Sequence, residues 1–233
     1  MKDYLYVNEI FYSIQGESSY QGFPTVFVRL SGCNLRCPYC DTKYAISRST
    51  GKRRLIKNVV EDIMQYNAHY ICFTGGEPLM QQEGILQVVN SLFCYYDPKI
   101  SIETNGTIAP IPAFDNIVKM VYDFKLPCAF VNLRKYQKYK AAFKELIIPR
   151  TLPDDEVKYV IENLVEADQI YEIYDLILKE PGDSPIQVVS PVWTKWKKND
   201  LKMLVEVLKV RIPMAKLQFQ MHKQIWPVNK RGV

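Results

Sequence analysis

Runs of apolar, β-branched residues recur along the chain, and the intervals between them carry helical periodicity. Residues 25–30, 70–74, 100–103, 118–124, 157–161 and 186–190 read as strands, with a short additional strand at 216–219. Residues 56–66, 84–94, 135–146, 166–178 and 200–210 read as helices. The clearest of these puts Ile170, Ile173, Tyr174 and Ile177 on one stripe, the spacing of an amphipathic helix. One stretch is ambiguous, because Pro153-Asp154-Asp155 can also start a helix that runs to Val165. Near-continuous apolar strands alternating with helices are the mark of βα units on a parallel sheet. Six such strands predict an α/β fold, an incomplete (βα)6-type barrel formed by residues 1–233 as one domain. Residues 1–24 form an N-terminal extension, and 211–233 form a C-terminal segment expected to close the site. In such a barrel ligands sit at the C-terminal ends of the strands. Residues 33–40, 74–78, 103–106, 123–125 and 187–190 all fall there.

Composition narrows the class. The chain has 233 residues, of which 48% are hydrophobic and 24% charged, ordinary values for a protein with a full core. No apolar run reaches the length of a membrane span, and the first nine residues lack an apolar signal core, so a cytoplasmic protein is expected. Basic side chains outnumber acidic ones, 30 to 25, for a net charge of +5. That balance suits an anionic small molecule as readily as nucleic acid.

Three of the six cysteines crowd into Gly32-Cys-Asn-Leu-Arg-Cys-Pro-Tyr-Cys-Asp41, and the others, Cys72, Cys94 and Cys128, are scattered. Without a secretory context, metal or redox chemistry explains the crowding better than disulfides do. A closed zinc site needs four ligands, and no fourth Cys or His lies near in sequence; His69 and His222 are the only histidines. Cys33, Cys37 and Cys40 on one short loop suit a four-iron cluster with one iron left open.

The C-x3-C-x2-C loop resembles that of the radical S-adenosylmethionine (SAM) superfamily. Tyr39 stands where that family carries an aromatic, and Thr74-Gly-Gly-Glu-Pro78 resembles its Gly-Gly-Glu-Pro segment. The resemblance implies a [4Fe-4S] cluster on the three cysteines and SAM on the open iron. Gly75 and Gly76 would then allow close approach to the methionine moiety, and Glu77 would order its amine. Asp123, Lys125 and Gln187 are further SAM-site candidates.

Tyr12-Ser-Ile-Gln-Gly-Glu-Ser18, the triplet Cys40-Asp41-Thr42 and the segment Gln220-Met-His-Lys-Gln-Ile-Trp226 are similar to the 7-carboxy-7-deazaguanine synthases of that superfamily. The resemblance covers nearly the whole chain. It implies a radical ring contraction of 6-carboxy-5,6,7,8-tetrahydropterin with loss of ammonia, for queuosine and other deazapurines. It also implies regeneration of SAM, help from Mg²⁺ at Thr42, and a homodimer. Ile14, Gln15, Gly16, Glu17, Arg29, Thr74 and His222 would meet the pterin. A carboxylate at Glu17 can accept two parallel hydrogen bonds from a pterin N–H edge, and an amide at Gln15 can both donate and accept. Charge alone suggests an acidic external electron donor, such as flavodoxin, against the lysines of residues 134–144.

Two other readings compete. One is a glycyl-radical activating enzyme, which shares the cluster loop but acts on a protein. The other is a zinc-holding nucleic-acid module that uses Arg48, Lys52, Arg53, Arg54, the lysines of residues 134–144 and the run Trp193-Thr-Lys-Trp-Lys-Lys198, charge runs of a kind that are ordinarily solvated helix faces. A net charge of +5 is modest for the second, so a small-molecule enzyme with no nucleic-acid or membrane partner is the expectation.

Overall fold

The structure, a computed structural model, describes residues 3–178, 184–192, 195–227 and 230–233. Each predicted strand forms. They are β2 (Pro24–Leu30), β4 (Tyr70–Gly75), β5 (Lys99–Thr104), β6 (Lys119–Phe124), β7 (Glu156–Ile161), β8 (Ile186–Pro191) and the short β9 (Lys216–Leu217). All pair in parallel along one sheet. Their interiors are buried on both faces, which is why they read as unbroken apolar runs.

Two strands went unread in the sequence. β1 (Tyr4–Ile14) pairs antiparallel with β2, and β3 (Lys52–Leu55) pairs antiparallel with β1. The complete order is β3-β1-β2-β4-β5-β6-β7-β8-β9. The extension ahead of residue 25 is thus largely sheet. Asn8 and Glu9 break its apolar alternation where a bulge shifts the register between Val7 and Glu9. β3 is Lys-Arg-Arg-Leu, a basic edge strand where a solvated helix face had been the ordinary expectation. Charge on an edge discourages pairing with another chain.

The helices are α1 (Ile56–Met64), α2 (Gln82–Phe93), α3 (Leu133–Leu146), α4 (Ala167–Ile177) and α5 (Lys198–Arg211). Their apolar stripes, such as Ile170, Ile173, Tyr174 and Ile177, pack into one core with the strands. The alternative helix from Pro153 does not form. Asp155 accepts the Met120 and Leu152 amides at 2.9 Å each, which ties the turn to β6 and starts β7. The sheet is mixed and not closed, in keeping with a partial barrel. Among the described residues no helix is long and apolar enough to cross a membrane.

The glycines after β4 have a backbone reason. A Cβ at Gly75 would stand 2.2 Å from the Leu30 carbonyl oxygen, and one at Gly76 would stand 2.2 Å from that of Gly32. Gly75 also has a φ of +126°. The close approach is therefore between the ends of β2 and β4. Gly75→Ala is expected to cost roughly 3 kcal/mol or more, through overpacking and a strained φ together. Denaturant unfolding against the unaltered protein checks this, and a loss below 1 kcal/mol would contradict it.

Candidate active site

Gly32, with a φ of +104°, turns the chain out of β2 into the cysteine loop. The loop is pinched at its base, where Gly32 N–H donates to Ala45 and Cys33 N–H to Ile46, each at 2.9 Å. It is also stitched to the Gly-Gly-Glu-Pro turn. The Gly76 amide donates to the Leu30 carbonyl at 2.9 Å, and the Glu77 amide to Gly32 at 2.8 Å. The strand ends thereby hold Cys33, Cys37 and Cys40 on the wall of one cavity of about 250 Å³.

Of the sequence-predicted residues, the cavity gathers Ile14, Gln15, Gly16, Glu17, Arg29, the three cysteines, Tyr39, Thr42, Thr74, Gly75, Gly76, Asp123, Lys125 and His222. It does not gather Glu77 or Gln187. Glu77 is fully buried behind the wall, where its carboxylate takes the Leu79 and Asn105 amides and the Thr104 hydroxyl at 2.7–2.9 Å. Burial raises its pKa, and those bonds oppose the rise. Gln187 accepts the Tyr159 hydroxyl at 2.6 Å, also out of the cavity.

Glu103, at the end of β5, is bonded to Gln15 and Thr74. One of its oxygens accepts Gln15 Nε2 at 3.2 Å, and the other accepts the Thr74 hydroxyl at 2.9 Å. Arg29 donates Nε to Glu9 at 2.7 Å, and a guanidinium has further N–H groups to offer. Thr42 donates its hydroxyl to Asp41 at 3.0 Å, which leaves the oxygen's lone pairs for a cation. Asp41 pairs with Lys223 at 2.8 Å. Burial alone would raise the Asp41 pKa, but the Lys223 ammonium brings it down to about 2.

Lys158 was missed. It projects from β7 into the cavity and pairs with Glu17 at 2.5 Å. Its signal was present in the sequence as a lone charge inside the apolar run Val157-Lys-Tyr-Val-Ile161.

The donor set fits an iron–sulfur cluster. All three thiols are free. Among the described residues no three His, Cys, Asp or Glu side chains close on a single ion. Three thiols on one short loop, with no fourth Cys or His near in sequence, suit a four-iron cluster better than a closed zinc site. Cys33 Sγ accepts the Leu35 amide at 3.4 Å and Asn105 Nδ2 at 3.8 Å, the kind of bond that tunes such sulfurs. Tyr39 Oη and Asp123 Oδ1 are buried at this wall without a partner among the described residues, as groups awaiting a polar ligand are.

Several supports for the nucleic-acid reading are used internally. Arg53 stacks on Tyr4 at 3.8 Å, Arg54 pairs with Asp62, and Trp196 Nε1 donates to the Ile161 carbonyl. Trp193 and Thr194 lie outside the described residues.

Two segments meet over the cavity from far apart in the chain. Met221 N–H donates to the Gly16 carbonyl at 3.0 Å, and Gln21 Nε2 donates to Gly16 and Phe219 at 2.8 and 2.7 Å. A Cβ on Gly16 would stand 2.1 Å from Nδ1 of His222. Gly16→Ala is thus expected to push the imidazole aside and loosen residues 220–225. Amide exchange there should quicken about tenfold, equivalent to about 1.4 kcal/mol of local stability. Unchanged exchange would contradict this.

Residues 27–188 match the family described as the Radical SAM superfamily. The chain is 32% identical over 221 residues to the 7-carboxy-7-deazaguanine synthase of Methanospirillum hungatei, covering 94% of this chain and 84% of that one. It is 33% identical over 231 residues to that of Chlorobaculum tepidum, covering 98% and 97%. It is 40% identical over 195 residues to that of Thermoplasma acidophilum, covering 80% and 82%. In fold it resembles the crystal structure of QueE from Escherichia coli, with a TM-score of 0.68 at 21% identity, covering 94% and 95%.

Proposed function

The chain belongs to the radical SAM superfamily and, within it, to the 7-carboxy-7-deazaguanine synthases. From that membership we propose how this chain's residues carry out the ring contraction of 6-carboxy-5,6,7,8-tetrahydropterin to 7-carboxy-7-deazaguanine. The observation that carries the proposal is one cavity wall shared by the cysteine loop and by Gln15, Glu17, Arg29, Thr74 and His222.

Cys33, Cys37 and Cys40 would hold a [4Fe-4S] cluster, which would supply the electron for reductive cleavage of SAM and with it the radical chemistry at substrate C6. Gly75 and Gly76 set the wall against which SAM lies, while Tyr39, Asp123 and Lys125 offer it polar contacts. Glu77 acts from behind, by fixing the Thr104–Asn105 backbone. Gln187 likewise acts through Tyr159.

On the opposite side, Glu17 accepts from the pterin N–H edge, and Gln15, held by Glu103, reads a neighbouring position. Burial brings the His222 pKa below its usual value, so the ring is neutral at pH 7 and offers one donor and one acceptor. Arg29 faces the substrate carboxylate. The Thr42 oxygen would hold Mg²⁺, which would supply a positive charge for the substrate carboxylate.

The enzyme is cytoplasmic and works as a homodimer fed by an external donor such as flavodoxin. Its net charge of +5 complements an acidic donor. Lys140 and Lys144 spend their charge on Glu172, at 2.7 and 2.5 Å, so α3 offers less to such a partner than its sequence suggests.

Anaerobically reconstituted protein given SAM, dithionite, Mg²⁺ and the tetrahydropterin should yield the deazaguanine acid by mass spectrometry. 5′-Deoxyadenosine without that product would redirect the search to another substrate. Thr42→Ala should weaken Mg²⁺ activation about tenfold or more and leave the cluster absorbance intact. Unchanged Mg²⁺ dependence would remove Thr42 from that role.

A further inference from the structure

A lysine buried in a strand interior is costly unless something compensates its charge. Lys158 is 7% exposed and stands at the middle of β7, opposite Asp123 of β6 in the parallel register. Its ammonium lies 2.5 Å from Glu17 Oε2 and 3.8 Å from Asp123 Oδ2. Asp123 in turn holds Lys125 at 2.6 Å. The floor of the cavity is thus a row of alternating charge, Glu17, Lys158, Asp123 and Lys125. Lys158 is its one member tied directly to both the pterin-facing and the SAM-facing carboxylate.

We infer that Lys158 is a positioning residue, whose ammonium holds the Glu17 carboxylate ionised and in one orientation for the pterin N–H edge. The inference rests on the reading of Glu17 given above. Glu17 needs such help, because it sits within the β1–β2 loop rather than on a strand. The loop itself is tied down nearby, through Ser19 to Glu156 at 2.6–2.8 Å and Ser18 to Gln218 at 2.8 Å. The carboxylate has two anchors of its own, Lys158 on Oε2 and the Gln220 amide on Oε1. A carboxylate has about four lone-pair sites, so two remain for a ligand.

The charges that face Glu17 are Glu103 from β5, Asp123 from β6, Lys158 from β7 and His222 from the C-terminal segment, with Gln220 as a neutral donor. Two of the four are themselves acidic, and His222 is neutral at pH 7. Lys158 is the cation that opposes them at contact distance. Burial alone would raise the Glu17 pKa, but Lys158 above all, aided by Gln220 and by His222, brings it to about 2. Burial alone would lower the Lys158 pKa, and Glu17, Asp123 and Glu103 raise it well above its usual value. Both groups therefore stay charged throughout the working pH range. With Lys158 gone, burial acts on Glu17 with only Gln220 in contact, its pKa climbs, and the acceptor becomes a neutral acid at low pH.

The test measures equilibrium binding of 6-carboxypterin, the oxidised and unreactive analogue, to cluster-loaded protein from pH 5 to pH 8. Each variant is read as a ratio to the unaltered protein, which removes the ligand's own titration. Lys158→Met is expected to bind at least tenfold more weakly at pH 5, with the deficit shrinking as pH rises and Glu17 ionises. Lys158→Arg, which keeps the charge, should show a ratio independent of pH. Glu17→Gln should bind weakly at every pH, and adding Lys158→Met to it should change little.

Lys158→Met binding that matches the unaltered protein at every pH would overturn the inference. A deficit that stays constant with pH, or that persists in full on the Glu17→Gln background, would overturn it as well, since Lys158 would then act on the ligand directly. Normal binding by Glu17→Gln would overturn the reading of Glu17 itself, whatever Lys158 does. If Lys158→Met does not fold, Lys158→Gln and Lys158→Arg are compared in the same way, and a pH-dependent ratio in Lys158→Arg contradicts the inference.

Discussion

The site depends on a backbone contact, the stitch between the ends of β2 and β4. Two amides of the Gly-Gly-Glu-Pro turn donate to the carbonyls of Leu30 and Gly32, and the glycines leave no side chain to hold the strands apart. The cysteine loop starts at that seam. Asn34 and Cys33 are then tied to Asn105 at the end of β5, and Tyr139 of α3 bridges the ends of β5 and β6 by bonds to Asn105 and Lys125. Four successive strand ends, those of β2, β4, β5 and β6, thus become a rigid rim. A ligand set built on such a rim has its geometry fixed before anything binds.

Electrostatically the cavity is lined by four carboxylates and four cationic side chains. Glu17, Glu103, Asp123 and Asp41 share it with Arg29, Lys125, Lys158 and Lys223. Isolated, any of these would be expensive to bury. Placed in alternation, they compensate one another, and a polar, carboxylated substrate meets fixed partners instead of reorienting solvent.

Much of this was legible in the sequence because it follows from short-range constraints. Apolar runs located the parallel strands within a residue or two, and the C-x3-C-x2-C and Gly-Gly-Glu-Pro motifs located the rim. β1 was not legible, since a bulge at Asn8–Glu9 breaks the alternation that marks a half-buried strand. Glu77 was read as a ligand group because its motif lies at the rim. Its caps on Leu79, Thr104 and Asn105, which turn it away from the cavity, depend on residues 27 and 28 positions later. Lys158 could not be assigned, because its partner Glu17 lies 141 residues away.

The crossing of the β1–β2 loop with residues 216–222 has a consequence for biosynthesis. Ser18 and Gln218 bond to each other across 200 residues, and Glu17 and Gln220 across 203. Most of the parallel sheet can assemble as its strands are made, each beside its predecessor. The loop that carries Gln15 and Glu17 must instead wait, its backbone groups solvated, until residue 221 has left the ribosome. Pairings this distant in sequence are the slow steps of folding. Closure of the far wall over the cavity thus depends on the last segment of the chain, whereas the strands that carry the cysteine loop pair with near neighbours in sequence.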